Sequence, residues 1–197
     1  MPRKSTKDLI LSVAAKLFAT TGFRRTTMET IAAAAGRGRR TLYMYFQNKA
    51  EIYNAVVDKE ISMITAPLKD VVASEGSPED ILLRYAIVRL ECLTALLKRN
   101  PLLLKDFSQG HNRIERLREK LNDEEKKILF RFFSRFLDQS GSNLLYKAEA
   151  LVLTFLNMLR GNDRLLTVDG NIERANDLSV FGVRMIITYI NNAPEET

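Results

Sequence analysis

The chain is poor in the residues on which catalytic and cross-linked proteins most often rely. Among its 197 residues are one cysteine, Cys92, one histidine, His111, and no tryptophan. A single cysteine excludes an intrachain disulfide and fits a reducing compartment, with Cys92 serving as a small buried hydrophobe. A single histidine leaves no Glu-x-x-His pair for a carboxylate-bridged metal centre, and neither a phosphate-binding glycine loop nor a serine elbow occurs. No enzyme, no metal site and no cofactor is therefore expected. Long apolar runs are also missing, so no transmembrane span is indicated. The opening stretch MPRKSTKDLI has basic residues with no apolar region behind them, which predicts no secretion signal and a cytoplasmic location.

What is present is an ordinary globular balance, 46% apolar and 27% charged, in a chain long enough for one or two small domains with a core. The net charge of +6 is unevenly placed. Residues 1–49 hold ten Lys and Arg against Asp8 and Glu29, a net +8, whereas residues 50–197 hold twenty against twenty-two, a net −2. A compact basic end on a near-neutral body suggests a polyanion-binding module attached to something else.

The periodicity is helical throughout, without a convincing strand or repeat. Ser5 with Asp8 opens a helix whose stripe is Ile10, Val13, Ala14, Leu17 and Phe18, and Gly22 closes it. Thr26 with Glu29 reads as a second capping box, for a short helix ending at Gly36. A third short helix covers residues 39–45, with Leu42 and Phe46 inward. Asn48 with Glu51 opens a longer connecting helix, over residues 48–67, that Pro67 kinks or ends.

Arg37, Arg39 and Arg40 crowd the start of that third helix, where the helix dipole disfavours cations by a few tenths of a kcal/mol each. Three short capped helices with glycine in the turn before the third make a helix-turn-helix, whose second short helix enters the major groove by its N-terminal part. A solvated basic face is the usual fate of a charge run. Here the turn, the placement and the charge split favour DNA.

The stretch ILSVAAKLFATTGFRRTTMETIAAAAGRGRRTLYMYFQNKAEIYNAV resembles the N-terminal domain of the TetR (tetracycline-repressor-like) family of bacterial regulators. The matching elements are Ala14 and Ala15 with Leu17-Phe18, Gly22-Phe23, Thr26-Thr27, Ile31-Ala32, Gly36, Thr41-Leu42-Tyr43, Phe46 and Lys49. The resemblance implies an all-α homodimer that represses transcription and leaves a double-stranded DNA operator when a small-molecule effector binds its C-terminal domain. It implies groove-facing positions for Arg39, Arg40, Thr41 and Met44, and phosphate or flanking-base contacts for Tyr43, Tyr45 and Lys49. Arg37 stands where the family has a small apolar residue packed in the turn, and Gly38 where it has a Ser or Thr cap. The domain expectation is a helix-turn-helix module over residues 1–49 and a helical ligand-binding and dimerisation body over residues 50–197.

In the body, Ser77-Pro78 opens a helix to about Asn100, PLLLKDFS reads as a short helix, and a long one covers residues 112–138. Residues 146–161 are apolar nearly all round, and a last helix covers residues 172–191. At ~100° per residue, Arg89 falls about 140° from Arg84, among Leu82, Tyr85, Leu93 and Leu96. An inward arginine is either a buried ion pair or a contact to an anionic or polar ligand. The ligand reading recruits Tyr85, Arg89, Phe107, His111 and Asn157 as lining. Gly182 in the last helix suggests close approach of another helix, with a dimer seam favoured over an intrachain crossing. The competing reading of the whole is a DNA-bound dimeric scaffold that answers to a protein partner or to no ligand.

Overall fold

A computed structural model describes residues 5–100, 112–137, 144–165 and 171–192. The described residues form helices α1 (Thr6–Thr20), α2 (Met28–Ala34), α3 (Arg39–Tyr45), α4 (Lys49–Ala73), α5 (Pro78–Arg99), α6 (Asn112–Leu137), α7 (Leu144–Arg164) and α8 (Ile172–Asn192). Among the described residues there is no strand, and no helix is long and apolar enough to cross a membrane. The expected short helix over PLLLKDFS lies outside the described residues.

The chain divides into two compact units, one within Met1–Ser62 and Leu96–Ile114, the other within Met63–Ala95 and Glu115–Thr197. The division therefore falls inside α4 rather than at residue 49. Pro67 does not end that helix, which continues to Ala73.

In the first unit, α1, α2, α3 and the start of α4 close over one core that includes Ile10, Phe18, Ile31, Leu42, Phe46 and Ile52. Phe18, Phe23 and Tyr53 stack at its edge with ring centroids 5.1 to 5.5 Å apart. Local signals set the helix ends. Ser5 Oγ accepts from the Asp8 amide at 3.1 Å, and Asn48 Oδ1 accepts from the Glu51 amide at 2.9 Å. The second cap departs from expectation by one residue. Thr27 and Thr30 form the capping box of α2, because Thr26 is buried and its hydroxyl donates to the Gly22 carbonyl at 2.8 Å.

In the second unit, Tyr85 packs on Phe155 and Phe155 on Phe133, at centroid distances of 5.9 and 6.4 Å. Helices α7 and α8 pack together, and their register is held by a buried chain in which Asn162 Nδ2 donates to Ser179 Oγ at 2.9 Å and Ser179 Oγ to the Ala175 carbonyl at 2.8 Å. Gly182 is buried at this crossing, and the Met158 side chain occupies the place a Cβ would take. That overturns the favoured dimer-seam role of Gly182: the close approach is intrachain. Gly182→Leu is expected to force α7 and α8 apart or drive Met158 off its rotamer. The expected cost is about 1–3 kcal/mol, read as a lower midpoint in thermal unfolding. A midpoint equal to that of the parent chain would remove the crossing from its stabilising role.

Candidate nucleic-acid interface

Helix α3 has two faces of opposite character. Leu42 and the C-capping Phe46 are 0% and 3% exposed and plug into the core, which fixes the helix on the domain. The other residues then have no choice but to face out. Met44 is 78% exposed and Tyr43 and Tyr45 are each 42% exposed. Arg37, Arg39 and Arg40 are exposed as well, and Thr41 is half-buried.

The turn before α3 depends on Gly36, whose φ of +60° lies in the left-handed region that glycine adopts without strain. Arg37 points to solvent and its Nη1 donates to the Gly36 carbonyl at 3.3 Å. It does not fill the turn interior as the small residue of the family pattern does. Gly38 is the N-cap and supplies no side-chain hydrogen bond to the first turn, so the cationic helix start has no internal acceptor there. Arg39 Nη2 lies 3.3 Å from Glu29 Oε1 and its guanidinium 5.6 Å from the centre of the Tyr43 ring. Both contacts are at the surface, where an ion pair contributes little and is readily exchanged.

Lys49 differs from the expected phosphate contact. Its Nζ donates to the Phe23 carbonyl at 2.8 Å and the Thr26 carbonyl at 2.6 Å, with the Arg24 carbonyl at 3.5 Å. The ammonium also lies 4.4 Å from the centre of the Phe23 ring. Its donors are turned inward onto the α1–α2 turn. No pattern of residue types reveals this, because a lysine reads the same whether it bonds phosphates or carbonyls.

Of the body residues expected to line a ligand site, the described ones, Tyr85, Arg89 and Asn157, are not gathered into one. Arg89 is buried and fully engaged: Nε donates to Glu125 Oε1 at 2.6 Å, and Nη1 and Nη2 donate to Asp163 Oδ1 and Oδ2 at 2.6 and 3.0 Å. Tyr85 is buried and donates to the same Glu125 oxygen at 3.2 Å. Burial works against the Arg89 cation, but the Asp163 and Glu125 carboxylates outweigh it and hold its pKa well above the ordinary value. Burial, then the Glu125 charge, pushes the Tyr85 hydroxyl well up too, which keeps it a donor. Of the two readings of Arg89, the buried ion pair is the observed one. Asn157 is exposed on α7 and lines no interior, since the face turned inward is that of Phe155, Leu156 and Leu159. Phe107 and His111 lie outside the described residues. An open groove of about 400 Å³ does exist in this unit, bordered by Glu75, Gly76, Asp80, Leu83, Arg84 and Ile87, none of them expected from the sequence.

Residues 10–56 match the family model of bacterial regulatory proteins of the tetR family. The chain is 40% identical over 50 residues to an uncharacterized HTH-type transcriptional regulator of Bacillus subtilis, YhgD, an alignment covering 25% of this chain and 26% of the relative. It is 30% identical over 95 residues to the HTH-type transcriptional repressor ComR of Escherichia coli, covering 48% of this chain and 45% of the relative. The chain thus aligns with about a quarter and under a half of these two relatives' lengths. A solved transcriptional regulator of the TetR/AcrR family from Thermobifida fusca shares the fold at a TM-score of 0.62 and 21% identity, across 88% of this chain and 96% of that one. Residues 10–56 thus match the tetR family of bacterial regulatory proteins, and the chain as a whole shares the fold of a solved TetR/AcrR regulator.

Proposed function

We propose that the protein is a sequence-specific DNA-binding transcriptional regulator that acts as a homodimer on a near-palindromic operator. The observation that carries the reading is α3 itself, with Leu42 and Phe46 locked in the core and Arg39, Arg40, Tyr43 and Met44 turned out, in a region of net charge +8 over residues 1–49. A recognition helix needs this division, because its inner residues set the depth and angle at which its outer ones meet base edges. Arginine is the side chain best matched to the acceptor pair of guanine.

The dimer reading draws on α8. Leu178, Phe181, Met185 and Tyr189 are all exposed, by 42 to 64%, and their spacing of three, four and four places them on one face. A self-complementary apolar stripe of this kind suits a two-fold contact with a second copy. Two copies would then present two α3 helices to half-sites about one helical turn apart.

Repression, and release by a small molecule, complete the proposal; the repressor named among the relatives supports the first. Release requires the effector to prefer the conformation that cannot span both half-sites. Arg89 and Tyr85 are not available as its contacts, since their polar atoms are satisfied by Glu125 and Asp163. The same observation lends support to the second reading, a dimeric scaffold with no small-molecule ligand.

The test begins by selecting duplexes from a random pool with the purified chain. Arg39→Ala and Arg40→Ala are expected to weaken binding to the selected duplex by about 1–3 kcal/mol each, and to relax base preference where each arginine reads. Fluorescence anisotropy measures the first and re-selection the second. If the double variant binds the selected duplex as tightly as the parent, α3 is not the reading helix.

A further inference from the structure

The α1–α2 turn carries two adjacent arginines, Arg24 and Arg25, for which the fold has no internal use. Both are exposed, and neither forms an ion pair among the described residues. The backbone beneath them is fixed at several points. Gly22 takes a φ of +84°, the buried Thr26 bonds back to the Gly22 carbonyl through both its amide at 3.2 Å and its hydroxyl at 2.8 Å, and Phe23 packs on Phe18 and Tyr53. Lys49 then takes the carbonyls of Phe23, Arg24 and Thr26 on one ammonium.

The Lys49 bonds have two consequences. Lys49 is the first residue of α4 and lies four positions after Tyr45, the last of α3. Its bonds therefore hold the turn against the corner where the outward-facing helix ends. Lys49 pins the carbonyls of Phe23, Arg24 and Thr26, and both arginine side chains lie exposed on the loop so held. A fixed pair of like charges is unfavourable alone and becomes favourable only beside an anion. Guanidinium forks match phosphate oxygens in geometry as well as charge.

We propose that Arg24 and Arg25 clamp duplex phosphates flanking the bases met by α3, with Lys49 as the positioning residue that holds their turn in place. This rests on the DNA-binding reading above and adds to it a backbone contact distinct from the α3 surface. Phosphate contacts orient a protein on the duplex without reading sequence, so removing them has a signature different from that of Arg39 or Arg40.

The experiment measures binding of the full chain to its selected duplex across a salt series. Removing one cation from a phosphate flattens the slope of log affinity against log salt by about 0.9. Arg24→Ala/Arg25→Ala is expected to flatten the slope by close to two units per half-site, with base preference in re-selection unchanged. Lys49→Met is expected to flatten it in the parent but to change it no further in the Arg24→Ala/Arg25→Ala background, since a positioning residue has then nothing left to position. A parental slope in the arginine double variant overturns the clamp. A Lys49→Met effect of equal size in both backgrounds overturns the positioning role and makes Lys49 itself the phosphate ligand. If Lys49→Met unfolds, the two exposed arginines still decide the clamp by themselves. A parent chain that binds no duplex with any salt dependence would instead overturn the functional reading on which the clamp rests.

Discussion

Arg89→Met is expected to be the most damaging single substitution in the second unit, lowering stability by about 3–5 kcal/mol. The arginine itself is not the reason. Glu125 is 2% exposed and accepts from both Arg89 and Tyr85, so removing the guanidinium leaves a carboxylate in the core with one neutral donor. Asp163 sits nearer the surface, 28% exposed, where water can take the place of the guanidinium. The asymmetry gives a sharp test. Arg89→Met with Glu125→Leu removes the stranded charge as well, and is expected to recover most of the stability, because an apolar replacement of a whole buried ion pair is often near neutral. Thermal and denaturant unfolding of the two variants measure the difference. If the double variant is as unstable as the sum of its two single substitutions, the cost lies in packing and not in the orphaned carboxylate.

The second large effect concerns assembly. Phe181→Asp with Met185→Asp places two charges in the middle of the exposed α8 stripe, which leaves the monomer fold untouched because both side chains already face solvent. Such charges cannot be buried unpaired against a second copy. Light scattering is expected to find monomers at concentrations where the parent chain is dimeric. With one half-site held at a time, affinity for the two-half-site duplex is expected to fall by about 10²–10⁴-fold, while binding to an isolated half-site persists. Dimers of parental mass in the variant would move the interface away from α8.

Short-range signals make most of the architecture legible. The spans expected for α3, α5, α6 and α8 agree with the observed ones to within a residue or two, because caps such as Ser77 before Pro78 act over three or four positions. The α2 cap is misplaced at Thr26 because two adjacent threonines offer the same chemistry, and only burial of the first selects the second. Periodicity places Arg89 on the inner face correctly. What it meets there is not legible: Glu125 and Asp163 lie 36 and 74 positions away, and nothing local ties them to it. Gly182 does mark a close approach, yet the neighbour is Met158 of the same chain, an identity that only the three-dimensional crossing supplies. The exposed stripe of Leu178, Phe181, Met185 and Tyr189 is absent from the sequence expectations as a unit, although its three- and four-residue spacing is there to find.

The triad of Arg89, Glu125 and Asp163 also constrains how this chain can drift over generations. Its members come from three helices, α5, α6 and α7, and the two buried ones, Arg89 and Glu125, are tolerable inside the protein because of their partners. A lineage that replaces Arg89 first must pass through a chain with a stranded core charge, while one that replaces Glu125 first keeps the arginine neutralised by Asp163. Substitution therefore has a permitted order, carboxylate before guanidinium, and the three positions are expected to vary together among descendants. Arg84, exposed on the opposite side of α5, carries the same side chain under no such rule.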